Sequence, residues 1–174
     1  MNWYQSVFEL IDMRSFSNLW YWIILAVAWS SASHWVLGVP FDMVTRARRY
    51  GGEADADLTT MVRINANRLV WITQVSGLWL MAAGFFMLTV LAVLGFWYRV
   101  EFAQAVLLIM APMALVFALT LRAARRALSL GQGGEPLYKL LTRHRMLIQG
   151  IGMLSIFVTS LWGMYQNMQI GVLG

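Results

Sequence analysis

Four long stretches without a charged side chain constrain this chain more than any other feature. They are residues 15–41, 69–98, 102–121 and 146–174. Each is long enough for a helix to cross a hydrocarbon core of about 30 Å, which takes about 20 residues. All formal charge lies in the pieces between them and at the N-terminus. The sequence therefore predicts an integral membrane protein.

Composition agrees with a membrane protein and excludes several classes of site. Only 12% of the 174 residues are charged, against about 25% in an ordinary soluble domain. Four spans and their loops leave no room for a separate soluble domain, so residues 1–174 are interpreted as a single membrane domain. The chain has no cysteine, which excludes disulfides, thiolate nucleophiles and cysteine-ligated zinc or iron–sulfur clusters.

Residues that start and stop helices give the boundaries of the expected spans. The first covers about 19–37, with tryptophans at both ends, and Gly38 and Pro40 stop it. A short surface helix follows at Phe41–Tyr50, and Asp55 or Asp57 starts a long helix whose membrane part is about 69–98. The third span is about 102–121, with a kink expected at Pro112. The last is about 146–165, after a break at Gly131–Gly134, and Pro136 suits the first turn of its helix.

The N-terminal segment and the spans together set the predicted fold. Aromatic and aliphatic residues recur at helical spacing between Trp3 and Ser15, which is typical of an amphipathic helix lying in the membrane interface. We therefore predict an all-α protein, an integral membrane bundle of four transmembrane helices with a short N-terminal amphipathic helix.

The basic residues predict the orientation. Eleven of the thirteen Lys and Arg residues lie within 42–68 and 122–145, so the positive-inside rule makes the loops 38–68 and 122–145 cytoplasmic and both termini periplasmic. We expect a bacterial inner (cytoplasmic) membrane protein and no nucleic-acid binding. The same arginines form a candidate patch for anionic lipid or an acidic partner: Arg46, Arg48, Arg49, Arg122, Arg125, Arg126, Arg143 and Arg145.

Polar residues within the spans form a second candidate site. Ser30, Ser33 and His34 lie near the inner end of the first span, and Gln74 lies near the inner end of the second. This face is interpreted either as a proton or cation path, as a cofactor ligand, or as a hydrogen-bonding helix contact. His144, between two arginines, is expected outside the core, which makes haem ligation by two histidines a poor fit.

Small residues mark candidate helix-packing faces, because helices in lipid associate through close backbone approach. They are Gly77, Gly84 and Gly95 in the second span, and Ser155, Thr159 and Gly163 in the last. The contacts are expected either within the chain or with a partner subunit.

No catalytic motif accompanies these features, so we predict no enzyme activity and no catalytic, cofactor-binding or metal-binding residues. The preferred function is that of a small accessory or scaffold subunit in a larger or homo-oligomeric membrane assembly. The alternative is a small channel or proton-conducting protein that uses the Ser/His face of the first span. The expected partners are membrane lipids, anionic on the cytoplasmic side, and other membrane subunits or further copies of the chain.

Three stretches carry a resemblance to a known family: FDMVTRARRYGG, VRINANRLVWITQVSGLWL and RHRMLIQGIGMLSIFVTSLWGMYQN. They resemble a family of small integral membrane proteins of alphaproteobacteria that are described as components of the SUF iron–sulfur assembly complex. The resemblance covers nearly the whole chain and implies a bacterial inner-membrane location. Because the chain lacks cysteine, it implies a tethering role and no cluster ligands.

Overall fold

The computed structural model describes residues 15–171, and most of this range is helical. A 3-10 turn, Ser15–Ser17, comes first, and a π-helical turn, Val93–Trp97, follows the third α-helix. The other elements are α1 (Leu19–His34), β1 (Trp35–Val36), β2 (Val39–Pro40), α2 (Phe41–Tyr50), α3 (Gly52–Ala92), α4 (Glu101–Leu130) and α5 (Glu135–Gly171). The all-α prediction is confirmed. The expected N-terminal amphipathic helix falls almost entirely on residues 1–14, outside the described range.

The first helix is capped by Asn18 and ends three residues before the predicted boundary. The Asn18 Oδ1 accepts a hydrogen bond from the Trp20 N–H at 3.0 Å, which satisfies one of the free amides of the first turn. After His34 the chain forms a tight hairpin in which Val36 pairs with Val39. Leu37 and Gly38 between them have φ angles of 52° and 70°, as a type I′ turn requires at both central positions.

Three of these helices are long and apolar enough to cross a membrane by length and composition: α3 with the π-helical turn, α4, and α5 up to Met168. The remaining predicted span, which is the first in the chain, corresponds to α1, which has 16 residues and therefore measures only about 24 Å at 1.5 Å per residue.

The long helix α3 begins at Gly52 instead of Asp55 or Asp57, because Gly51, with a φ of 60°, redirects the chain directly after α2. It runs for 41 residues, about 60 Å. Its end widens into the π-helical turn, where the Tyr98 N–H donates to the Val93 carbonyl at 3.2 Å. Arg99 then adopts a φ of 56° and closes the turn into α4.

The helix α4 continues through Pro112, although the proline ring removes one amide donor from the helix. Gly131, in the left-handed conformation, ends it. Pro136 lies in the first turn of α5, where its missing amide hydrogen costs nothing, as the sequence predicted.

The main core lies at the arginine-rich end of the molecule, where residues 36–68 and 122–145 meet; we call this the basic end. On α3, Leu58, Val62 and Ala66 repeat every four residues and face small residues of α4 and apolar residues of α5. The hairpin inserts Val36 and Val39 into the same cluster, and both are fully buried. The opposite end, formed by residues 15–21, the π-helical turn and the C-terminal half of α5, is called the far end.

Candidate functional site

An aspartate joins the two loops at the basic end. One carboxylate oxygen of Asp55 accepts hydrogen bonds from the Tyr138 hydroxyl at 2.6 Å and from the Gly134 N–H at 3.0 Å. Tyr138 is buried, and this burial, together with the bond to Asp55 and the negative charges of Asp55 and Glu135, raises its pKa to about 12. The arrangement holds the start of α3 against the start of α5.

A second polar contact holds the hairpin at the basic end. The Asn65 side chain donates from Nδ2 to the Gly38 carbonyl at 3.0 Å. This satisfies a turn carbonyl that has no partner in the two-residue ladder. The contact therefore fixes the end of α1 against the middle of α3.

The arginines of the candidate patch are distributed around the basic end. Arg48 forms an ion pair with Glu135 at 2.8 Å, and Arg145 lies over the Phe41 ring at 4.0 Å from its centroid. Because both charges of the Arg48–Glu135 pair are about half exposed, the pair contributes at most about 1 kcal/mol. The remaining arginines of the patch are exposed: Arg46, Arg49, Arg122, Arg125, Arg126 and Arg143.

His144 is buried within the protein, and its position outside the hydrocarbon core stays a prediction. Only 3% of its surface is exposed, and its Nε2 lies 3.1 Å from the Thr120 hydroxyl of α4. Its helix position turns it toward α4, while the flanking Arg143 and Arg145 point elsewhere. The histidine therefore serves as a contact between α4 and α5.

The predicted polar face of α1 is only partly assembled. Ser33 donates from its hydroxyl to the Ser30 carbonyl at 3.0 Å, and both serines line a groove of about 530 Å³ between α1 and α5, the α1–α5 groove, with Gln149 opposite. His34 is exposed and meets the Trp35 ring edge-on. Gln74 is exposed on α3 and, within residues 15–171, shares no hydrogen bond with these residues.

Sequence reasoning missed the most connected polar side chain of the spans, Gln104. It donates from Nε2 to the Gly95 carbonyl at 2.7 Å, and its Oε1 accepts from Trp162 Nε1 at 2.9 Å and from Gln166 Nε2 at 2.6 Å. The signal was present, because a buried amide in a membrane helix needs partners and Gln166 offered one. These hydrogen bonds hold α4 to the π-helical turn and to α5 at the far end.

The small residues divide into two groups. Gly95, Ser155, Thr159 and Gly163 lie buried at contacts within the chain; a Cβ on Gly163, for example, would meet Phe16 at 3.3 Å. Around Gly77 and Gly84 no atom lies within 4 Å of where a Cβ would be. Both glycines line an open groove between α3 and α4, the α3–α4 groove.

The α3–α4 groove lies between the two places where these helices touch. Toward the far end, Gly95 packs on Gln104; toward the basic end, Ala66 and Ala124 belong to the main core. Its volume is about 440 Å³, and its only charged lining residue is Arg125.

Within residues 15–171, no group of three or more histidine, aspartate or glutamate side chains is placed to hold a metal ion. No protein-family model, curated protein or solved structure matches the chain. The functional argument therefore rests on the geometry.

Proposed function

We propose that this chain is a non-catalytic accessory subunit of a bacterial inner-membrane assembly, with four membrane crossings and both termini in the periplasm. The proposal rests on one observation, which is that the middle of α3 is largely exposed. Only 6% of its most apolar window is buried, against 22% for α4 and 28% for α5. Large side chains such as Leu78 and Trp79 are about four-fifths exposed there.

This exposed segment favours a partner because the helices around it already pack against other helices of the chain. α4 packs against both α3 and α5, and α1 packs against α5, whereas α3 contacts mainly α4 once it leaves the basic end. Four helices that closed into a bundle would bury a stripe on each of them. A helix of another subunit, or of a second copy, seated beside α3 supplies the missing neighbour.

Two contacts support a fourth crossing by α1 despite its 16 residues. At the far end, the Phe16 N–H donates to Glu101 at 2.9 Å, beside the turn between α3 and α4. At the basic end, Gly38 binds Asn65. The flanking 3-10 turn and β1 add about 12 Å to the 24 Å of helix, enough for a core of about 30 Å.

The polar side chains also favour a structural role. The side chains of Gln104, Asp55 and His144 each use their hydrogen bonds to hold helices together. None of them faces a groove together with a second reactive group. The buried polar chemistry thus serves assembly of the fold.

Native mass spectrometry from lipid nanodiscs tests the partner proposal. The particle should contain this 19.8 kDa chain with at least one further chain, and iron–sulfur assembly components are the partners that the family resemblance nominates. Ala82→Trp, on the exposed face of α3 away from the α3–α4 groove, should release the partner, whereas Leu154→Trp, at an exposed residue of α5 that lines neither groove, should not. A lone chain in the wild-type particle would refute the proposal.

Single cysteines test the topology, since the chain has none of its own. Ser17→Cys and Tyr98→Cys should react with an impermeant thiol reagent on intact spheroplasts, and Gln132→Cys should not. Labelling at Tyr98→Cys without labelling at Ser17→Cys would mean that α1 does not cross.

Conduction is the second candidate, and the α1–α5 groove with its two serines and Gln149 is what favours it. His34 does not line that groove, so we expect proteoliposomes loaded with a pH-sensitive dye to show no flux above empty vesicles. A wild-type flux that His34→Gln abolishes would establish the conducting function instead.

A further inference from the structure

We propose that the α3–α4 groove binds one anionic phospholipid from the leaflet at the basic end, with an acyl chain along the groove and the phosphate at Arg125. The proposal rests on the shape of the groove and on the charge at its end. It does not depend on the identity of any partner subunit.

The groove exists because small residues face one another across it. Gly77 and Gly84 of α3 have no side chain and no neighbour within 4 Å of a Cβ position, and α4 contributes Ala114 and Ala118 opposite them. Helices joined at both ends therefore leave a gap in the middle. Protein interiors and bilayers are both closely packed, so a hydrocarbon chain fills such a gap.

The dimensions suit an acyl chain better than a helix. From Thr73 to Leu88 the groove follows sixteen residues of α3, about 22 Å from the first to the last, which exceeds the roughly 15 Å of one leaflet. A volume of about 440 Å³ over that length gives a mean cross-section of about 20 Å². A helix about 10 Å wide has about four times that cross-section and would lie partly outside the groove, whereas an extended acyl chain, one methylene wide, fits within it.

The charge selects the headgroup. Arg125 lies in the last turns of α4 and lines the groove at the basic end, and among the described residues it forms no ion pair. Its guanidinium fork suits a phosphate, which accepts two parallel hydrogen bonds. The Thr73 hydroxyl at the same end bonds its own helix, to the Leu69 and Val70 carbonyls. Arg125 is thus the anchoring group.

Lipid titration followed by native mass spectrometry tests the proposal, with phosphatidylglycerol and phosphatidylcholine of equal chain length as probes. Wild-type protein should retain one phosphatidylglycerol preferentially. Arg125→Gln should weaken that binding about tenfold, the loss expected for one charge-assisted hydrogen bond. The matched control is Arg126→Gln, an exposed neighbour that does not line the groove, which should change it less than twofold.

A second variant tests the groove itself. Gly84→Leu should abolish retention of both lipids, because the leucine side chain would occupy the acyl position, and its Cβ has no neighbouring atom within 4 Å. Gly150→Leu, at an equally open glycine on α5, should not. Equal losses in Arg125→Gln and Arg126→Gln, or full retention in Gly84→Leu, would overturn the proposal. So would loss of a protein partner from Gly84→Leu, since a helix would then occupy the groove; Ala82→Trp tests the subunit proposal separately.

Discussion

Two glycines on α5 provide a direct measurement of how firmly α1 packs against the last helix. Gly152 is buried, and a Cβ added there would lie 2.8 Å from Trp29 Cε3 and 3.1 Å from Cδ2. Gly150, one half-turn away on the same helix, has no atom within 4 Å of its Cβ position. Replacing each by alanine therefore makes the same chemical change in two environments.

The expected magnitudes follow from helix propensity and packing. Gly150→Ala should stabilise the fold by up to about 1 kcal/mol, because alanine orders the helix at lower entropic cost. Gly152→Ala gains the same amount but must displace a rigid indole that is 5% exposed, and overpacking of this kind costs about 1–3 kcal/mol. The two variants should thus differ by about 1–3 kcal/mol in unfolding free energy, with Gly152→Ala the less stable.

The assay is unfolding by sodium dodecyl sulfate in mixed micelles, followed by circular dichroism. Trp29→Leu provides the decisive background, because the smaller side chain should remove most of the difference between the two glycine variants. Equal stabilities of Gly150→Ala and Gly152→Ala in the wild-type background would refute the contact between Trp29 of α1 and Gly152 of α5.

Three further predictions concern the polar and backbone contacts. Gln104→Leu should cost about 1–3 kcal/mol of unfolding free energy in the same micelle assay, because it leaves buried donors of Trp162 and Gln166 without their acceptor; a loss below 0.5 kcal/mol, on the scale of about 1 kcal/mol for one bond, would contradict the cluster. Gly38→Ala should destabilise more than Gly131→Ala, since both have positive φ but only Gly38 would bring a Cβ to 3.0 Å from Asn65; equal losses would argue against that contact. The folded-state pKa of Tyr138 is raised from 10.0 to about 12, so its contribution to stability is complete below pH 10 and is lost as the pH rises toward 12. Between these two pH values the unfolding free energy of the wild type should therefore fall more than that of Tyr138→Phe.

The sequence predicted the parts of this fold that depend on local patterns. The surface helix Phe41–Tyr50, the break around Gly131 and the proline in the first turn of α5 all follow from charge and from glycine and proline placement. These signals act within a few residues, so a single sequence contains them fully.

The hairpin after α1 could not be predicted in the same way. Its turn residues are Leu37 and Gly38, and leucine is unusual at positive φ. Leu37 is held there because it is buried in the main core, which is a tertiary cause. The end of α1 therefore depends on packing against α3 and α5, and local propensity alone placed it three residues too late.

The predictions about the candidate sites were right for some residues and incomplete for others, again because tertiary packing decides which residues meet. Periodicity identified small residues on α3 and α5 but could not say which would find a neighbour, since that depends on how the helices diverge. Gly163 meets Phe16, whereas Gly84 faces open space. In the same way, the two arginines beside His144 did not show that its own direction on the helix places it against Thr120.

The distribution of packing suggests how the molecule is built. Among the described residues, the main core lies at the basic end, and the hydrogen bonds of Gln104 hold the far end together. Between these two fastened ends, α3 and α4 need not touch, because lipid is as good a neighbour for an apolar side chain as another helix. A chain fastened at both ends and open in the middle can present the same α3 to a lipid on one side and to a subunit on the other.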